Sequence, residues 1–115
     1  ARAYAESFGQ KKAVSAPVQT RLADGMACRV PNDDALALIL EGVNRVVEVT
    51  DQEVAETMRT LFECTHNVSE GAGAAPLAAA IQERTLNRGA RIAVVLSGGN
   101  IDRDVFARVL SGGAE

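Results

Sequence analysis

The sequence predicts an α/β fold with an open, mainly parallel sheet flanked by helices, and three observations carry that expectation. Ile92, Ala93, Val94, Val95 and Leu96 form an unbroken apolar run of strand length, the pattern of a strand buried on both faces. Segments of helical period alternate with short β-branched runs. The apolar run passes through Ser97-Gly98-Gly99-Asn100 into a further helical pattern, the strand, turn and helix order of parallel α/β units. Two clear strands are fewer than a doubly wound domain carries.

The elements follow in order. Residues 3–8 have the composition of a helical turn, stopped by the polar Gly9-Gln10-Lys11-Lys12. Residues 13–29 hold Pro17 and Gly25 without a sustained period, which predicts an extended, partly irregular segment with a tight turn at Ala23-Asp24-Gly25. Pro31-Asn32-Asp33-Asp34 starts a helix whose apolar face is Leu36, Ile39, Leu40 and Val43. Val46, Val47 and Val49 give a short β-branched strand. Thr50 and Glu53 have capping-box spacing, so a helix begins there, with Val54, Met58, Leu61 and Phe62 as its stripe, and frays near Cys64-Thr65-His66-Asn67.

Gly71-Ala72-Gly73-Ala74-Ala75-Pro76 then allows close backbone approach, with Pro76 expected in a helix's first turn and Leu77, Ala80 and Ile81 continuing it toward a terminator at Gly89. After the second strand, residues 102–110 read as a last helix with Phe106, Val109 and Leu110 facing inward, followed by Ser111-Gly112-Gly113. Capping that helix is the first expectation for Asn100.

Composition bounds the function. With 115 residues, 47% of them hydrophobic, the chain fits one domain at most. A net charge of −3 with interspersed signs leaves no electrostatic footprint for nucleic acid or an anionic membrane. No apolar run nears the roughly 20 residues of a membrane span, and no signal-peptide pattern opens the chain, so a cytoplasmic location is expected. The start Ala-Arg-Ala-Tyr, without Met, suggests a beginning inside a longer polypeptide. Cys28, Cys64 and the single His66 lack metal-ligand spacing and read as two reduced thiols and a helix-end histidine.

Ligands of open α/β sheets collect beyond the carboxyl ends of the strands, where Ser97 and two glycines fall. Glycines there admit a flat ring or a phosphate, and the hydroxyl can donate to a neutral acceptor. Taken alone, SGGN reads first as a plain turn and names no ligand.

Four blocks narrow this. Leu22-Ala23-Asp24-Gly25, Val49-Thr50-Asp51, Glu70-Gly71-Ala72-Gly73-Ala74 and Val95-Leu96-Ser97-Gly98-Gly99-Asn100-Ile101-Asp102 occur in an order and spacing that resemble the threonine dehydratase and serine racemase family. These are fold type II, tryptophan synthase β-like, pyridoxal-phosphate enzymes. The resemblance covers essentially the whole chain and implies that residues 1–115 are a single C-terminal segment of the catalytic domain's large part, without a regulatory domain. It implies pyridoxal 5'-phosphate as cofactor and β-elimination from L-threonine or L-serine, giving a 2-oxo acid and ammonia. Ser97 would hydrogen-bond the pyridine nitrogen, and Gly25, Gly98 and Asn100 would line the cofactor. A neutral hydroxyl leaves the ring a weaker electron sink than a carboxylate would, which suits prompt loss of a β-hydroxyl.

Asp24 and Glu70 are the candidate catalytic acids. Asp24 can equally cap its own turn, and Glu70 can simply serve a helix N-terminus. Burial of Glu70 against the ring would favour its protonated form and make it a proton relay. Many relatives bind Mg or Ca. Ala3 matches the position of a carbonyl ligand, but Ala5 stands where some relatives carry Asp, and one carbonyl cannot hold a hard cation.

Lys11 and Lys12 are the only lysines, adjacent in a polar loop that offers no burial to turn an ammonium into a nucleophile. The expected partners are therefore an N-terminal remainder of the enzyme carrying the Schiff-base lysine, a small amino-acid substrate and further copies in a homo-oligomer. A non-catalytic binding module that retains the fold is the other reading, and racemisation or hydroxyaspartate dehydration remain open for the parent.

Overall fold

The computed structural model describes residues 2–114. They form two compact units, the first from residues up to Thr20 with Met26–Glu48, the second from Arg21–Gly25 with the residues from Val49 onward.

In the first unit, α1 (Ala3–Gln10) runs two residues beyond expectation and ends on Lys11 in the left-handed conformation, φ 55°. Ser7, fully buried in α1, ties down the following loop: its Oγ accepts from the Val14 N–H at 2.8 Å and donates to the Val14 carbonyl at 3.3 Å. α2 (Asp33–Gly42) starts as its composition demands, with Asn32 as N-cap and its Oδ1 accepting from the Ala35 N–H at 2.9 Å. Of its apolar residues Leu36 alone is buried, while Leu38 is 70% exposed.

The second unit holds a core in which α3 (Asp51–Thr65) packs on both α4 (Gly71–Gln82) and α5 (Arg103–Leu110). The capping box forms as spaced, with the Thr50 N–H donating to Glu53 at 2.7 Å and the Glu53 N–H to the Thr50 hydroxyl at 3.2 Å. Val54, Ala55 and Met58 of α3 bury against Ala74, Ala75 and Ala78 of α4, whose methyl-sized side chains let the helix axes approach. Val109 of α5 closes this core, and Phe106 meets Phe62 edge-on at 5.6 Å. His66 ends α3 at φ 57°, a helix-end position as expected.

Three expectations need correction. Pro76 lies inside α4, not in its first turn, so it supplies no N–H to the carbonyl one turn back. The helix then stops at Gln82, and turns carry the chain to Gly89, whose φ is +79°. The third correction concerns the sheet: residues 46–49 and 92–96 lie outside the helices and form no strand ladder among the described residues. A strand exists through its neighbours' N–H and C=O groups, and an apolar pattern encodes the burial without supplying the neighbours. Ile92 is accordingly 51% exposed and Val95 72%.

Candidate functional site

The N-terminus of α4 is the point on which the second unit's candidate residues converge. Ser69, fully buried, donates from its hydroxyl to the Glu70 carbonyl at 2.8 Å and fixes the entry to the helix. On one side lies the segment 22–25: Gly71 packs so closely on the Leu22 carbonyl that a Cβ would overlap it, and a Cβ on Gly25 would come 3.0 Å from the Ala72 methyl. On the other side lies the turn after residues 92–96. The Glu70 N–H donates to the Gly98 carbonyl at 3.1 Å, and a Cβ on Gly73 would come 2.5 Å from that same oxygen. Gly99 lies against the Val68 carbonyl, and the Ile101 N–H closes the turn onto the Gly99 carbonyl at 3.0 Å.

At Gly71, Gly73 and Gly99 glycine is therefore required by backbone meeting backbone. Glu70 occupies the N-cap position of α4 without capping it. Its half-buried carboxylate instead lies over Gly98, in the space a Cβ would take. Ser97, one residue earlier, is exposed, and its hydroxyl has no hydrogen-bond partner among the described residues. A free hydroxyl and a carboxylate thus share one glycine turn.

The other expected residues fall less centrally. Asp24 is exposed in the short 3-10 turn Asp24–Met26, and its side chain makes no capping hydrogen bond among the described residues. Asn100 is exposed, and the N-cap of α5 is Asp102, so Asn100 does not cap that helix. Ala3 is the buried first residue of α1, its carbonyl directed along the helix. Among the described residues no group of three or more His, Cys, Asp or Glu is placed to hold a metal ion. Lys11 and Lys12 are exposed in the loop after α1. No helix among the described residues is long and apolar enough to cross a membrane. Sequence reasoning missed Ser69 and Gly73 as supports of the turn; the small-residue run flagged close approach but not its target.

The turn thus offers one exposed hydroxyl able to donate a hydrogen bond to a neutral acceptor. Residues 1–98 match the family model described as "Pyridoxal-phosphate dependent enzyme", and the chain belongs to that family. It is 38% identical over 107 residues to the L-threonine ammonia-lyase of Geobacter sulfurreducens, covering 93% of this chain and 27% of that protein. It is 37% identical over 92 residues to the L-threonine ammonia-lyase of Thermotoga maritima, covering 80% of this chain and 23% of that one. The chain thus spans about a quarter of the length of these curated relatives. The backbone superimposes on maize serine racemase with a TM-score of 0.81 at 25% identity, over 97% of this chain and 36% of that one.

Proposed function

We propose that this chain forms the ring-nitrogen wall of a pyridoxal-phosphate site in an enzyme that converts L-threonine or L-serine to a 2-oxo acid and ammonia. Bound there, the cofactor would supply the electron sink for chemistry at the substrate's α-carbon. Ser97 would hold the cofactor at its ring nitrogen by a hydrogen bond from its hydroxyl, a neutral donor that keeps its own proton. Gly98, lacking a side chain, leaves room over the turn for the Glu70 carboxylate. Glu70, over the same turn, holds or passes a proton at its carboxylate oxygens. Gly25 offers its backbone beside α4, with Asp24 and Asn100 at the rim. The observation that carries this reading is the free Ser97 hydroxyl on a turn pinned by the Glu70 N–H to the Gly98 carbonyl, 3.1 Å.

The lysine-bearing wall comes from a remainder of the enzyme N-terminal to this segment. Strands of that remainder pair with residues 92–96, completing the parallel sheet, and further copies make it a homo-oligomer. The exposure of Lys11 and Lys12 favours a remainder over self-sufficiency, and equally supports the second reading, a non-catalytic module. Pyridoxal phosphate mixed with the intact protein separates them: an absorption band that L-threonine discharges, with 2-oxobutanoate released, fits only the first. Ser97→Ala should lower kcat roughly tenfold to a hundredfold while the protein stays folded. Full activity and unchanged cofactor affinity in that variant would sink the reading.

A further inference from the structure

The Ser111-Gly112-Gly113 stretch is a built helix cap gripped by an arginine. The Gly113 N–H donates to the Arg108 carbonyl at 2.9 Å and the Gly112 N–H to the Val109 carbonyl at 3.1 Å, with Gly112 at φ +99°. This is the Schellman arrangement, which needs the left-handed conformation at the position Gly112 fills. From α3, Arg59 then reaches the same cap: its Nη1 donates to the Val109 carbonyl at 2.9 Å and to the Gly113 carbonyl at 3.2 Å. The guanidinium is half-buried, and no carboxylate pairs with it among the described residues. Its charge is answered by the carbonyl end of α5.

α5 is only eight residues long and begins six residues after Ser97, so whatever fixes α5 fixes one end of the Ser97 turn. The other end is fixed by the Glu70 N–H on the Gly98 carbonyl. We propose that Arg59, acting through the Ser111-Gly112-Gly113 cap, is a positioning residue that sets where Ser97 presents its hydroxyl. The consequence for catalysis rests on the reading of Ser97 given above; the effect on the turn does not. An arginine suits this task because one nitrogen binds two carbonyls at once.

Hydrogen-exchange mass spectrometry on the intact, cofactor-free protein tests it, comparing peptides covering residues 97–102 with peptides covering residues 74–82. Arg59→Ala should speed exchange in the first peptide roughly tenfold and leave the second unchanged, as expected for local release of a packed unit. Gly112→Ala, which strains the cap without touching Arg59, should give the same pattern, and Arg59→Lys should restore most of the protection. Equal acceleration of both peptides in the two disruptive variants, or none in either, would overturn the proposal. In the loaded enzyme Arg59→Ala should lower kcat roughly tenfold with KM little changed. If exchange responds as expected while Ser97→Ala remains fully active, the positioning stands and the reading of Ser97 falls.

Discussion

Glycines around the α4 N-terminus differ in what stands against them, and that difference orders the effects of substitution. A methyl group on Gly71 would run into the Leu22 carbonyl, and one on Gly73 into the Gly98 carbonyl at 2.5 Å. Both obstacles are backbone held by neighbouring packing, so relief requires moving segments 22–25 or 97–99 off the helix. Gly71→Ala and Gly73→Ala should each cost about 2–4 kcal/mol of stability, read from urea unfolding midpoints. At Gly98 the obstacle is the Glu70 carboxylate, the far end of a flexible side chain. Gly98→Ala should therefore cost under about 1 kcal/mol, since the carboxylate can rotate away. It should still depress turnover, because the carboxylate leaves the turn and a methyl group stands beside Ser97. A stability loss at Gly98 as large as at Gly71 would mean that Glu70 is locked in place.

The helix starts are where local chemistry acts alone, and they were the most legible part of the sequence. Thr50 and Glu53 needed only their spacing, and Asn32 only its neighbours, because a cap is made within four residues. Thr50→Ala should lower stability by about 1 kcal/mol. The Thr50 N–H, and then Gln82, donating at 3.0 Å, hold the Glu53 carboxyl below its ordinary 4.5. A depressed folded-state value means that this contribution is whole above pH 4.5 and is lost as pH falls through the folded value. Unfolding at about pH 7 and about pH 3 should show that loss in the wild type and less of it in Glu53→Gln. The Ser97 and Glu70 blocks were legible as motifs, but their meeting was not: the Glu70 bond to Gly98 joins residues 28 positions apart. The expected sheet rested on an apolar pattern alone, and no strand ladder forms among the described residues. Asn100 was the expected cap of the last helix, but the N-cap position falls to Asp102, whose side chain makes no capping hydrogen bond.

Across the whole molecule, apolar surface is distributed as if other structure were to cover it. Val109, Val54 and Met58 are sealed in the second unit's core, while Val95, in the most strand-like run of the sequence, is 72% exposed. A soluble surface gains nothing from five consecutive apolar residues, and a parallel sheet requires them. The two situations give opposite results for Val95→Lys. In the 115-residue chain by itself the substitution replaces an exposed valine and should change stability by less than about 0.5 kcal/mol. In an assembled sheet it forfeits about 2 kcal/mol of valine burial and places an ammonium where desolvation costs several more. The intact protein should then lose more than about 4 kcal/mol, enough to abolish folding in many domains. Thermal unfolding of both forms, wild type and Val95→Lys, makes the comparison. A small effect in both would show that residues 92–96 face solvent in the intact protein too, and the proposed sheet would have to be abandoned.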